Sequence, residues 1–205
     1  MKNNVNFNYE KAIQAINILA DKSSNNSTGK LKTVKLLWLA DRYHLRRYGR
    51  PIFNDFYFAM EFGPVPSSIK DLLTENNSFL GDDEKKYLNK YLVIEKNKAK
   101  TKRKPDLLVF SKSDIEAIEK IFTTYGNMTA SELVTFSHKF PEWKKFENEL
   151  SSKCASRENM DYLDFFLDTN IKIKNNIFNE DKKVLDASKK IFMNSFNVEQ
   201  LWRMS

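Results

Sequence analysis

The stretch Lys35–Leu73, KLLWLADRYHLRRYGRPIFNDFYFAMEFGPVPSSIKDLL, decides the fold of this chain. It begins within an amphipathic helix whose apolar block, Leu36–Ala40, indicates that most of the helix circumference is buried. Gly49 predicts the end of this helix, because a residue without a Cβ atom readily takes the left-handed conformation, and Pro51 cannot continue a helix. We therefore predict a helix over residues 30–48.

An aromatic segment follows this helix and predicts a β-strand. Aromatic side chains favour extended structure, and five of them fall in ten residues: Phe53, Phe56, Tyr57, Phe58 and Phe62. The sequence Gly63–Pro66 is typical of a rigid turn, because Gly tolerates a positive φ and Pro fixes its own φ. A helix capped by Ser67 or Ser68 is predicted to follow the turn.

The rest of the chain predicts mainly helices, with one β-hairpin. Helices are expected over residues 9–20 and 82–90, after the capping boxes Ser113/Glu116 and Thr129/Glu132, and over residues 160–167 and 183–196. Two apolar runs, Tyr91–Ile94 and Leu107–Phe110, predict hairpin strands on either side of a long lysine-rich loop. The expected fold is therefore mainly α with a small β-sheet or hairpin.

The composition is that of a globular protein. The chain has 205 residues, of which 41% are hydrophobic, and only five glycines and five prolines. No segment approaches the roughly 18 consecutive apolar residues of a membrane span, and the N-terminus has no apolar signal core. The only cysteine, Cys154, has no partner for an internal disulfide. We expect a soluble, cytoplasmic protein that makes no use of a membrane.

The positive charge is concentrated in one segment. The net charge is +7, and residues 95–104, EKNKAKTKRK, contribute +5 of it. If this segment is extended, Lys98, Lys100, Lys102 and Lys104 point to one side. Such a row of lysines can follow a phosphate backbone, as the wing of a winged-helix protein does, or contact an acidic partner. It can also be a solvated hairpin tip that prevents edge-to-edge aggregation.

The sequence offers little for catalysis. Motifs for phosphate-binding loops, serine nucleophiles and zinc sites (GxxxxGK[ST], GxGxxG, GxSxG, HExxH and CxxC) are absent from the sequence. Asp41 and His44 lie one helical turn apart, but no third ligand of the usual spacing accompanies them. We expect neither an enzyme nor a cofactor.

Three segments resemble the Panacea domain, a SocA-like antitoxin domain that is often phage-associated. They are LLWLADRYHLRRYGRPI (Leu36–Ile52), the strand with its FGPVP motif (Asp55–Pro66), and SHKFPEW (Ser137–Trp143). The resemblance implies one compact domain over residues 1–158, with its core motif at 30–145, and a C-terminal helical extension over residues 159–205. It also implies an antitoxin of a type II system, with a role in phage defence.

The partner implied by this resemblance is a cognate toxin encoded nearby, such as a ribonuclease or an alarmone-synthetase-like enzyme that modifies tRNA. Because Arg and Tyr are over-represented where interfaces carry energy, we predict partner contact for Asp41, Arg42, His44, Arg46, Arg47, Tyr48 and Arg50. A solvated helix face explains Asp41, Arg42, Arg46, Arg47 and Arg50 equally well, and His44 and Tyr48 can instead have a structural role in the core. Gly49, Pro51, Gly63, Pro64, Pro66 and Trp143 are interpreted as structural residues. The alternative function is a winged-helix-like nucleic-acid-binding regulator that uses the basic hairpin 95–104.

Overall fold

A computed structural model of the chain describes residues 7–75, 80–169 and 176–204. The helices are α1 (Tyr9–Asp21), α2 (Lys30–Tyr48), α3 (Ser67–Leu72), α4 (Asp82–Tyr91), α5 (Lys112–Tyr125), α6 (Ala130–Ser137), α7 (Pro141–Lys144), α8 (Glu147–Ser151) and α9 (Lys182–Met204). The strands are β1 (Ser27–Gly29), β2 (Tyr57–Met60), β3 (Gly63–Pro66), β4 (Leu92–Ile94), β5 (Lys98–Thr101) and β6 (Arg157–Asn159). This mainly helical architecture with two small antiparallel sheets confirms the predicted fold class.

The central helix α2 has the predicted bounds. Its residues are buried without a break from Thr33 to Arg46, so the other elements pack around it. Gly49 ends the helix with φ 68°, and its N–H donates to the Leu45 carbonyl. Packing adds a second requirement, because a Cβ atom at Gly49 would lie 2.5 Å from the carbonyl oxygen of Ser188 in α9. Both observations favour glycine over any residue with a side chain at this position.

The predicted rigid turn at Gly63–Pro66 is instead the strand β3, and this prediction was wrong. Glu61 and Phe62 make the turn, and β3 pairs with β2 at the edge of the sheet β3-β2-β6. Pro has no N–H to donate, so it fits an edge strand with its nitrogen facing away from the ladder. The carbonyl group of Pro64 accepts a hydrogen bond from the Nζ atom of Lys35, a buried residue of α2, at 2.7 Å.

Two of the predicted helix caps differ in the structure. Asp55 caps α3 by accepting from the N–H groups of Ser68 and Ile69 at 2.8 and 2.9 Å, so neither serine does so. The capping box of α5 is Ser111/Asp114 rather than Ser113/Glu116. The box Thr129/Glu132 at the start of α6 is confirmed.

The second predicted hairpin strand lies elsewhere. Residues 107–109 form a 3-10 turn, and the strand β5 runs inside the lysine-rich segment, between β1 and β4. The loop that joins β4 to β5 is short, because the Glu95 N–H donates to the Lys98 carbonyl at 2.9 Å. The lysine-rich segment is therefore the central strand of a sheet, and the prediction of a long hairpin tip was wrong.

The segment after residue 156 completes the core. β6 pairs with β2, and Phe165, Phe166 and Phe178 belong to the same buried cluster as α2. The short helix expected at residues 160–167 is a 3-10 turn over Tyr162–Phe166. The division at residue 158 into a domain and an extension remains a prediction, although described residues on both sides share one core.

Candidate functional site

Four of the residues predicted to contact a partner are buried inside the domain. Asp41, Arg42, His44 and Arg46 are each at most 1% exposed. A charged group withdrawn from water must be paired or hydrogen-bonded, and each of the four has partners within the fold. In this conformation a partner cannot reach them.

The buried side chains of Arg42 and Arg46 connect α2 to segments that are distant in sequence. The Nε atom of Arg42 donates to Glu142 at 2.8 Å, and its guanidinium lies 4.6 Å from the Phe140 ring centre and 4.9 Å from that of Phe178. Arg46 bonds Glu180 at 2.7 Å and Asp168 at 2.6 Å. It also donates to the carbonyl groups of Phe165, Leu167 and Phe178.

Asp41 holds the chain that leaves α2. Its carboxylate accepts from the N–H groups of Ile52 and Phe53 and from the Tyr57 hydroxyl at 2.8 Å. Burial raises the pKa of Asp41 to about 7, and these hydrogen bonds oppose the rise. The loop after Gly49 and the start of β2 are thereby fixed to the same side chain.

His44 is part of a second polar network, on the side of α5. Its Nδ1 lies 2.8 Å from the Arg50 carbonyl and its Nε2 lies 3.0 Å from the Ser113 hydroxyl. Burial lowers the pKa of His44 to about 4, so the ring is neutral at pH 7. The Asp114 carboxylate forms ion pairs with Lys11 at 2.7 Å and with Arg50 at 2.9 Å. This arrangement serves packing and offers no open position for a ligand.

The remaining predicted contact residues lie nearer the surface. Arg47 is exposed, and Tyr48 and Arg50 are partly exposed. Their contact with a partner stays a prediction.

An open apolar groove of about 940 Å³ lies at the other end of α2. The first two turns of α2, the β2–β3 hairpin, α3 and the end of α8 form its walls. The apolar lining residues are Leu31, Val34, Met60, Phe62, Val65, Leu73, Leu150 and Ala155. Phe62 at the hairpin turn is 58% exposed and Leu31 is 40% exposed, whereas Val34, Val65, Leu73 and Leu150 are buried. Phe62 and Leu31 therefore present most of the apolar surface that faces water.

The charges around the groove nearly balance. Lys30, Lys70 and Lys153 line it together with Glu61 and Asp71. The groove is therefore suited to an apolar ligand surface and does not favour a ligand of one particular charge.

Two contacts keep the hairpin wall of the groove in place. The indole Nε1 of Trp143 donates to the Met60 carbonyl at 2.8 Å, and the Trp143 ring stacks on His138 at 3.7 Å. On the other strand, Lys35 holds the Pro64 carbonyl. Sequence reasoning did not find the groove, because it placed Phe62 within a strand and not at an exposed turn.

The predicted row of lysines is only partly present. Lys98 and Lys100 are exposed on one face of β5, with Ala99 buried on the other. Beyond the end of β5, Lys102 donates to the Asn89 carbonyl and Lys104 pairs with Asp21 at 2.9 Å. Two of the four side chains therefore share the outer face of the sheet.

The described part of the chain has no group of three or more His, Cys, Asp or Glu side chains placed to hold a metal ion. Over the same ranges, every helix is too short or too polar to cross a bilayer.

The described residues form a small, mainly helical domain with an open apolar groove. The profile of the family described as "Antitoxin SocA-like, Panacea domain" matches residues 34–144. The chain therefore belongs to this family. The match includes the hairpin, α3 and Trp143, whereas Lys30, Leu31 and the groove residues from Leu150 onward lie outside it.

Antitoxin SocA of Caulobacter vibrioides (strain NA1000 / CB15N) is 30% identical to this chain over 127 residues. These residues make up 60% of this chain and 62% of that protein, so the chain spans less than two thirds of its relative. No solved structure matches the chain at a significant level.

Proposed function

We propose that this chain is the antitoxin of a type II toxin–antitoxin system and neutralises its cognate toxin by binding it directly. Membership of the SocA-like family supports the antitoxin role. The observation that carries direct binding is the apolar groove beside Phe62 and Leu31. Apolar surface gains roughly 25 cal/mol per Å² when it leaves water, so a protein partner that covers this surface is stabilised there.

The occupant of the groove is an apolar segment of the toxin. A volume of about 940 Å³ is at the upper end of the range for small-molecule pockets. An open apolar surface of this kind suits the apolar face of a helix. The balanced charges of Lys30, Lys70 and Lys153 against Glu61 and Asp71 suit a segment whose middle is apolar.

The proposed role requires binding and no catalysis. The toxin is encoded beside the antitoxin, both act in the cytoplasm, and the pair serves in phage defence. A ribonuclease or an alarmone-synthetase-like enzyme that modifies tRNA fits the role of the toxin, since inhibition needs only a protein that occludes or distorts the toxin's active site.

Growth rescue tests this proposal. The neighbouring gene product is expressed together with this chain, and wild-type antitoxin is expected to restore growth and to co-purify with the toxin. The double variant Leu31→Glu/Phe62→Ser changes two exposed groove residues and is expected to abolish rescue while the protein stays folded.

Phe56→Ser supplies the matched control. Phe56 is 50% exposed, close to the 58% of Phe62, and does not line the groove. Its loss is expected to leave rescue intact. Rescue by the groove variant as strong as by wild type, at equal soluble expression, would contradict binding through the groove.

A second candidate function is a nucleic-acid-binding regulator. The observation that favours it is the exposed pair Lys98 and Lys100 on the outer face of β5. Phosphate-backbone binding would weaken steeply with salt, and a duplex containing the operon's own promoter is the appropriate probe.

A further inference from the structure

One end of the groove meets the outer face of the sheet that contains β5. Lys30, which lines the groove, donates its N–H to the Asn97 carbonyl in the β4–β5 turn at 3.0 Å. The residue before it, Gly29, lies opposite Lys98 in the β1–β5 ladder. The groove and the face that carries Lys98 are therefore neighbouring surfaces at the N-terminus of α2.

This outer face is basic and largely unneutralised. Lys98 pairs at 3.2 Å with Glu95, and both side chains are more than 40% exposed, so the pair is weak. Lys100 makes no side-chain hydrogen bond or ion pair with any described residue. Val93 lies opposite Lys100 in the β4–β5 ladder and is 41% exposed, which adds an apolar spot beside Lys100.

The groove and the outer face of β5 differ in the chemistry of the partner surface that each would bind. The groove is apolar with balanced charges at its rim, whereas the adjoining sheet face carries Lys98 and Lys100 with one acid, Glu95. Residues two apart on a strand are separated by about 7 Å. A segment that covers both parts needs an apolar block and then acidic side chains at about that spacing.

We infer that the groove and the outer face of β5 form one continuous binding surface, and that it takes a single polypeptide segment of the toxin with an apolar block followed by acidic residues. The inference rests on the proposed function. A nucleic acid fits this surface less well, because its phosphates would meet Lys98 and Lys100 and leave Phe62 and Leu31 exposed to water. The lysine-rich strand thereby acquires a role in recognising protein.

The test measures toxin binding by two charge-reversal variants of equal charge. Lys98→Glu/Lys100→Glu changes the proposed surface. Lys183→Glu/Lys190→Glu changes two exposed lysines of α9. α9 contacts α2 at Gly49, the far end of a 19-residue helix, which is roughly 28 Å from Lys30. Purified toxin from the neighbouring gene is the probe, and association and dissociation rates are measured at 50 and 300 mM salt.

We expect Lys98→Glu/Lys100→Glu to weaken toxin binding at least tenfold at 50 mM salt, mainly through a slower association rate, and to reduce the salt dependence of that rate. Lys183→Glu/Lys190→Glu is expected to stay within about threefold of wild type, because its charges lie outside the contact. Circular dichroism and the melting temperature of each variant confirm that the fold is kept.

The outcomes separate this inference from the proposed function. If Leu31→Glu/Phe62→Ser loses the toxin but the Lys98/Lys100 variant binds like wild type, the extended surface is wrong and the groove proposal stands. If the Lys98/Lys100 pair instead governs binding to the promoter duplex and not to the toxin, the basic face belongs to nucleic-acid recognition and the inference is overturned. Failure of wild-type protein to bind the toxin overturns both.

Discussion

The two ends of α2 both depart from the usual arrangement, in which charged side chains are exposed and apolar side chains are buried. Its C-terminal half buries Asp41, Arg42 and Arg46, whereas its N-terminal end exposes Leu31 beside Phe62 of the hairpin. Charged side chains are almost never fully buried unless they are paired, and here each has hydrogen-bond partners within the fold. Paired charges are therefore part of the buried core around the C-terminal half of α2, whereas exposed apolar side chains belong to the candidate binding surface at its N-terminal end.

This contrast predicts that the two ends respond differently to substitution. Changes among the buried charges should lower the free energy of unfolding, because a removed partner leaves an uncompensated group inside. Changes at the groove should spare stability and affect partner binding.

The largest expected effect on stability is at Arg46. Arg46→Met keeps most of the apolar stem but removes the donor to Glu180, which is 2% exposed, and to the carbonyl groups of Phe165 and Phe178. We expect a loss of about 3–5 kcal/mol in the free energy of unfolding, measured by urea denaturation. Arg47→Met, one residue away and exposed, is the control and should change it by less than about 0.5 kcal/mol. An equal change in the free energy of unfolding for the two variants would contradict the claim that the buried contacts of Arg46 stabilise the fold.

The next effect is at Gly63, which supports the hairpin wall of the groove. Its φ is 90°, and a Cβ atom there would lie 2.2 Å from the Ser137 hydroxyl oxygen. Gly63→Val is expected to cost on the order of 1–3 kcal/mol, seen as a lower melting temperature. Gly81→Ala is the control, because a Cβ atom at Gly81 meets only a flexible side-chain atom at 3.7 Å. An unchanged melting temperature for Gly63→Val would show that the hairpin does not need this conformation.

A smaller effect concerns the pH dependence of stability and the buried amine of Lys35. Burial lowers the pKa of Lys35 to about 7 from an ordinary value of 10.5. Between these values the unfolded chain binds more protons than the folded one, so the contribution of Lys35 to stability rises with pH from about 7 to about 10.5. Below about pH 7 the full cost of charging the buried amine is present.

Lys35→Met removes this titration. We expect the slope of unfolding free energy against pH, measured between pH 7.5 and 9.5, to be more positive for wild type than for Lys35→Met. Lys183→Met, which changes an exposed lysine, should keep the wild-type slope. A slope for Lys35→Met identical to that of wild type would mean that the buried amine does not titrate in this range.

The features that the sequence predicted correctly depend on local signals. The bounds of α2, the left-handed Gly49 and the capping box Thr129/Glu132 each follow from residues within one or two helical turns. The Panacea resemblance was confirmed by the family match over residues 34–144.

The features that it missed depend on contacts between distant residues. Asp55 caps a helix whose first turn is 13 residues away, and Arg46 pairs with Glu180 across 134 residues. β5 escaped prediction because its one fully buried side chain is the small Ala99. The groove combines the start of α2, a hairpin turn and the end of α8, so no single segment carries its signal.

The most direct test of the central claim, that the groove end of α2 binds the toxin, is hydrogen–deuterium exchange of the antitoxin with and without its toxin. We expect slower exchange on complex formation in peptides that cover the β2–β3 turn at Glu61 and Phe62 and the start of α2 at Lys30 and Leu31. Peptides that cover residues 47–50 and α9 should exchange at unchanged rates. Protection confined to residues 47–50 and α9, with none at the hairpin turn, would contradict the account and place the partner at the opposite end of α2.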